Sequence, residues 1–300
     1  MTADALKPTI AFVGLGIMGA PMAGHLLAAG YPLRVFTRTR SQAERIVAGG
    51  ATWCASPADA VAGVDMLLMI VTDTNDVEQV LFGSGGAAAP LRSGACVIDM
   101  STIRPDATRD FAARLANGGV SMLDAPVTGG EVGARDATLT IMVGGHAETF
   151  VRAEPILRRM GKTVVHVGDS GSGQALKACN QILCAVNMIG VCEALLLARR
   201  SGLDLSQAVE TLGGGAGGSW AWTHLGRRIV DGDLDPAFMI KLIQKDLRIV
   251  QEAARELAVP VPGAALAQQL FRAVENHPGG GELGTQAMIR AYEAMMGGAD

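Results

Sequence analysis

The segment that most restricts the fold is Gly14-Leu15-Gly16-Ile17-Met18-Gly19. It follows the apolar run Ile10–Val13 and opens residues 18–29, where apolar side chains recur at helical spacing and stop at Gly30. In a strand–turn–helix unit each glycine has a task. The first permits the tight turn, the second lets backbone approach a pyrophosphate, and the third lets helix and strand pack closely. The helix start then turns N–H groups and the positive end of its dipole toward phosphate. The motif alone is a weak signal in a chain with 39 glycines. Its context predicts a dinucleotide-binding turn.

The rest of the first half keeps that rhythm. Apolar, strand-like runs stand at Leu33–Phe36, 66–71, Cys96–Asp99, Ser121–Asp124, 139–143 and 163–167, with a helical pattern at 108–116. Ser41 with Glu44 matches a capping box. Strands alternating with helices predict an α/β Rossmann, doubly wound and largely parallel sheet. After Gly173 strand signals end. Helical patterns run over 174–200, 205–212, 238–257 and 264–276, and Gly213-Gly-Gly-Ala-Gly-Gly218 breaks them. The expected division is a nucleotide-binding domain over 1–169 and an all-α C-terminal domain over 170–300, with its boundary in the turn at 169–173.

Bulk properties exclude several classes. Net charge is −4 without a block of like charge, which argues against nucleic acid as a partner. No apolar run reaches the ~18 residues of a membrane span. The uncharged stretch after Lys177 comes nearest and is interrupted by Asn180, Gln181 and Asn187. Residues 1–8 are polar and lack a signal-peptide pattern, so a cytoplasmic location is expected. The five cysteines form no C-x-x-C pair and are read as buried free thiols. The histidines are scattered singly, so no metal site is expected.

The second strand leads into Thr37-Arg38-Thr39-Arg40. An NAD site usually carries Asp or Glu there for the ribose 2′-hydroxyl. Its replacement by Arg38, whose planar fork suits a 2′-phosphate, favours NADP, with NAD also acceptable. Arg40 is a second candidate for that phosphate. Further on, Lys177 opens a long apolar helix with Asn180 three residues later on the same face. Two strands end in hydroxyls or glycines, at Ser101-Thr102 and at Thr128-Gly129-Gly130. Lys245-Asp246 lies in a late helix.

These motifs, in this order, resemble the β-hydroxyacid dehydrogenase family, which includes 3-hydroxyisobutyrate dehydrogenase and tartronate semialdehyde reductase. The likeness runs from about residue 9 to residue 296. It implies a Rossmann domain, a long interdomain helix and an all-α domain that takes part in oligomer contacts. It implies an NAD(P)-dependent oxidoreductase interconverting small 3-hydroxy acids and semialdehydes, working as a homodimer or homotetramer. Lys177 is implied as the catalytic proton donor and acceptor, and Asn180 as a substrate-orienting residue. Ser101, Thr128, Gly129 and Gly130 are implied to hold the substrate carboxylate. Gly14, Leu15, Gly16, Ile17, Met18, Gly19, Thr37, Arg38, Thr39, Val71, Thr72, Thr102 and Lys245 are implied on the cofactor side. Thr128 and Gln181 stand where the family often has Ser and Asn, and Gln181 is expected to stay outside direct contact.

Plainer roles exist for the same residues. Lys177 can be a helix-end charge, and Lys245 with Lys241 and Arg248 can form a solvated basic face. Ser101 and Thr102 can cap the next helix. Trp220 and Trp222 can pack in a core or interface. Two other functions remain open: reduction of a non-acid aldehyde or imine, and a nucleotide-binding partner protein without catalysis.

Overall fold

The computed structural model describes residues 7–297. Its contacts divide the chain into two compact units, one ending at Lys177 and the other starting at Ala178. The division falls inside a single helix, Ser172–Arg200.

The first unit holds strands β1 Ile10–Val13, β2 Leu33–Phe36, β3 Thr52–Trp53, β4 Met66–Met69, β5 Cys96–Asp99, β6 Ser121–Asp124, β7 Val127–Thr128, β8 Leu139–Gly144 and β9 Gly161–Gly168. Their order is β3-β2-β1-β4-β5-β6-β8-β7, with β9 beside β8. From β3 to β6 every pairing is parallel. The strand order reverses between β1 and β4, the place where doubly wound sheets bind ligands. Beyond β6 the sheet includes antiparallel pairs, β6 and β7 each with β8, before β8 and β9 pair in parallel, so it is largely parallel as expected. Ala125-Pro126 separates β6 from the two-residue β7, and Gly129 follows at once. No periodic pattern can register in so short a strand.

The parallel strands are apolar on both sides because helices cover both faces. Along β1, Ile10 and Phe12 enter one core while Ala11 and Val13 enter the other, and β4 splits in the same way. Each fully buried aliphatic or aromatic side chain contributes about 1.5–3 kcal/mol. The strand C-termini therefore sit on a rigid base, and the glycine turn, Val71, Ser101 and Ala125 all follow within two residues of them.

The second unit is helical, with Leu205–Gly213, Arg227–Val230, Ile240–Glu256, Pro262–Glu275 and Ile289–Met295 beside the rest of the long helix. Ile240–Glu256 shows the pattern that drives it: Ile240, Ile243, Leu247, Val250 and Ala254 are buried at three- and four-residue steps. The first four pack with Met188, Cys192, Leu195 and Phe271 in one core.

Several expectations need correction. Ser41 forms no capping box, since a 3-10 turn, Arg40–Ala43, precedes the helix Glu44–Ala48 and neither start has a side-chain cap. Cys54, Cys96 and Cys192 are buried, and burial pushes the Cys96 thiol up to about 11. Cys179 and Cys184, by contrast, are exposed, because they lie on the side of the long helix that also exposes Leu183. The helix Ser172–Arg200 is also long and apolar enough, by composition, to cross a membrane, with an 18-residue window of mean hydropathy 1.9. Its amides weigh less than its Leu, Ile, Val, Ala and Cys content. The protein itself buries 44% of that window.

Candidate active site

The glycine turn shows which glycines the chain itself requires. Gly14 has φ +95°, and a Cβ there would stand 2.1 Å from the Ile70 carbonyl oxygen. At Gly19 a Cβ would stand 1.9 Å from the Gly14 carbonyl oxygen. Around Gly16 nothing lies within 4 Å of the Cβ position. The first and third glycines thus let strand, turn and helix close on one another. The second presents bare backbone on an exposed turn beside the start of the helix Gly19–Ala28, which fits a pyrophosphate. Leu15 packs in the core and can offer only its backbone, Ile17 is exposed, and Met18 packs partly against the core.

At the end of β2, Thr37 is buried and its hydroxyl donates to Gln42 Oε1 at 3.0 Å. The Arg38 side chain is 80% exposed, and its Nη1 lies 3.2 Å from Asp76 Oδ1. Thr39 is exposed at the start of the 3-10 turn. Arg40 lies over the Trp53 ring, 4.6 Å from its centroid.

The ends of β4, β5 and β6 are bound together. The Val71 N–H donates to Ser101 Oγ at 2.8 Å, and the Ser101 N–H donates to Asp99 Oδ1 at 3.0 Å. Because its oxygen already accepts a bond, the Ser101 hydroxyl keeps its proton to donate. Ser101 and Thr102 do not cap the next helix. Arg104 holds the N-cap position of Pro105–Ala116 and makes no side-chain cap bond. Thr72 is exposed and Thr102 half-buried. Thr128 ends β7, and Gly129 (φ 129°) and Gly130 (φ 63°) follow in the region that glycine alone adopts readily.

Asp124, the last residue of β6, starts the long helix. Its Oδ1 accepts from the Gly171 N–H at 2.8 Å and its Oδ2 from the Gln174 N–H at 2.9 Å. Burial pushes its carboxyl above the ordinary value, while the N–H donors of Gly171 and Gln174 pull the other way. The close approach needs Gly173, where a Cβ would stand 2.4 Å from the Met142 carbonyl oxygen. Lys177, one turn further along, is buried with 7% of its surface exposed.

In the second unit, Asn180 Nδ2 donates to Gln181 Oε1 at 2.7 Å. Gln181 is buried, and its Nε2 donates to Asp246 Oδ2. Asp246 Oδ1 in turn lies 2.8 Å from Lys245 Nζ, in a pair exposed by only 13% and 3%. Lys241 and Arg248 form exposed pairs with Glu282 and Glu252. Lys245 therefore differs from its two basic neighbours. Trp222 is buried, and its Nε1 donates to the Val209 carbonyl at 3.0 Å. Trp220 is 60% exposed and stacks on His224 within the π-helical turn Ala221–Gly226 and its N-cap.

Residues 9–168 match the family model described as the NAD binding domain of 6-phosphogluconate dehydrogenase. Residues 171–292 match the one described as NAD-binding of NADP-dependent 3-hydroxyisobutyrate dehydrogenase. The chain is 39% identical over 286 residues to 2-hydroxy-3-oxopropionate reductase of Escherichia coli, across 95% of this chain and 97% of that protein. The chain belongs to the β-hydroxyacid dehydrogenase family. It is also 36% identical over 269 residues to 3-hydroxyisobutyrate dehydrogenase of Pseudomonas aeruginosa, across 87% and 90% of the two chains. A structure of Mycobacterium tuberculosis 3-hydroxyisobutyrate dehydrogenase with L-serine superposes with a TM-score of 0.87 at 32% identity, over 95% of this chain and 99% of that one. The chain is accordingly an NAD(P)-dependent hydroxyacid dehydrogenase or semialdehyde reductase.

Three polar residues in these networks were not singled out from sequence, Asp99, Asp124 and Gln174, and Asp246 stood there only as the neighbour of Lys245, without a role. The two strand-end aspartates had a usable signal, since each closes an otherwise apolar buried run. Gln174 had none. Gln181, expected to stay outside direct contact, is a buried link between Asn180 and Asp246.

Proposed function

We propose that this β-hydroxyacid dehydrogenase interconverts a small carboxylate-bearing 3-hydroxy acid and its semialdehyde, with NADP preferred and NAD also used. When bound, the nicotinamide supplies or receives the hydride. Lys177 gives a proton to the nascent alkoxide during reduction and takes it from the hydroxyl during oxidation. Asn180 orients the substrate oxygen. Ser101, Thr128, Gly129 and Gly130 hold the carboxylate. The glycine turn with Thr37, Arg38 and Thr39 holds the dinucleotide, and Val71, Thr72, Thr102 and Lys245 serve its nicotinamide side. One observation carries the reading: Lys177 is a buried lysine one turn from a helix start that is hydrogen-bonded to the strand ends. A charge kept only for solvation would sit at the surface.

The functional division follows the sequence, with a nucleotide domain over 1–169 and an all-α domain over 170–300. We place the enzyme in the cytoplasm as a homodimer or homotetramer, without nucleic acid, membrane or metal in its work. Exposed Leu183 and Leu197, 64% and 70% accessible and on one side of the long helix, support self-association.

Oxidation of NADPH with a panel of carboxylate semialdehydes, non-acid aldehydes and cyclic imines tests the substrate class. Turnover is expected with the carboxylate semialdehydes. Preference for an aldehyde or imine without a carboxylate would overturn the reading, and no turnover with any member would favour a non-catalytic protein. For the cofactor, Arg38→Ala should weaken NADPH binding more than NADH binding, measured by fluorescence titration. Equal losses would refute the role of Arg38.

A further inference from the structure

We infer that Gln174 is a positioning residue that sets the Ser101–Thr102 turn against the helix carrying Lys177. It thereby fixes the spacing between carboxylate-holding and proton-transferring groups. This rests on the proposed roles of Ser101 and Lys177.

The Gln174 side chain is 1% exposed and both ends of its amide are used. Its Oε1 accepts from the Ile103 N–H at 3.1 Å, and its Nε2 donates to the Ser101 carbonyl at 2.8 Å. The two backbone partners fix the amide's orientation, because an N–H needs an acceptor and a carbonyl needs a donor. The side chain thus pairs with the backbone on both sides of Thr102, as a neighbouring strand would.

The same residue is anchored at its own backbone, whose N–H donates to Asp124 Oδ2 at 2.9 Å. Three residues on, about one helical turn along the same face, stands Lys177. Ser101 is held from its other sides by Asp99 and by the Val71 N–H. A shift at Gln174 is therefore a shift of Ser101 relative to Lys177. Gln174 itself spends both polar ends on backbone, so it acts through the turn and not on substrate.

Two variants separate positioning from mere packing. Gln174→Met keeps length and apolar contact but leaves a buried carbonyl and a buried N–H without their partner. Gln174→Glu keeps the acceptor for Ile103 but places a carboxylate oxygen against the Ser101 carbonyl. Only its protonated form restores the donor. Steady-state kinetics with the best carboxylate semialdehyde, NADPH titration and amide hydrogen exchange are measured on the full chain. For Gln174→Met the semialdehyde KM should rise about tenfold, the factor for losing roughly 1.4 kcal/mol of hydrogen bonding. NADPH affinity should hold within about twofold, while the Ile103 amide exchanges faster. For Gln174→Glu the KM, taken relative to wild type, should fall as pH is lowered through the carboxyl's titration.

Unchanged KM in both variants and unchanged Ile103 exchange in Gln174→Met, with only a lower melting temperature or active fraction, would overturn the inference. If Gln174→Met does not fold, the pH trend of the Gln174→Glu KM decides it: a KM ratio to wild type that does not change with pH would overturn the inference. A wild-type enzyme that turns over no carboxylate semialdehyde counts against the proposed function alone. Ile103 exchange then still decides whether Gln174 fixes the turn.

Discussion

Asp124 combines two demands that pull its ionisation in opposite directions. Its oxygens accept the N–H groups that open the long helix, which favours the carboxylate, but its burial favours the neutral acid and prevails. The folded-state value therefore lies above the unfolded one. Such a carboxyl stabilises the fold fully below its ordinary value of 3.8 and loses that contribution as pH rises through the folded value. Asp124→Asn removes this titration along with one acceptor. The variant should be less stable than wild type at every pH, with the deficit largest near pH 4 and shrinking as pH rises. Melting temperatures of both proteins from about pH 4 to 8 check this, spanning ordinary to elevated carboxyl values. A deficit that grows with pH would show that the N–H donors, not burial, dominate at Asp124.

At the scale of the element, the glycine turn separates what folding needs from what the ligand needs. Gly14→Ala combines a positive φ with a Cβ 2.1 Å from a backbone oxygen, so it should cost more than about 2 kcal/mol or prevent folding. Gly16→Ala meets no atom within 4 Å and should leave stability within about 0.5 kcal/mol. It should nevertheless weaken NADPH binding, because the new methyl stands where backbone must approach phosphate. Urea melts paired with cofactor titration distinguish the two variants. A Gly16→Ala protein with wild-type affinity would place the pyrophosphate elsewhere. The motif was legible in the sequence because its strand, turn and helix are contiguous. The same holds for Lys177 and Asn180, which share one helix. Gln174 and Gln181 were not legible, because their meaning comes from partners 71 to 73 and 65 residues away. A neutral amide in an apolar helix gives no sign of such a partner. The two-residue strands β3 and β7 were missed for a related reason: their order comes from neighbouring strands rather than from a pattern of their own.

For the whole molecule, each unit has its own apolar core, which accounts for the two successive family matches. The long helix begins in one unit and continues in the other, so sequence composition marked the change of character at 169–173 while contacts divide after Lys177. In the second unit that helix exposes Leu183, Gly190 and Leu197, seven residues apart along one side. Leu183→Glu should shift the protein toward a smaller species in sedimentation or light scattering if this side joins copies of the chain. A wild-type protein that already sediments as a monomer would contradict the proposed assembly.

If Lys177 moves the proton in an NAD(P)-dependent hydroxyacid reaction, Lys177→Ala should separate cofactor binding from turnover. NADPH affinity and turnover of the best carboxylate semialdehyde are measured on the same folded preparation. NADPH affinity should stay within about twofold of wild type, while kcat should fall by about 10²–10⁴-fold, the range general acid–base catalysis contributes. A variant that binds NADPH and keeps wild-type kcat would contradict it.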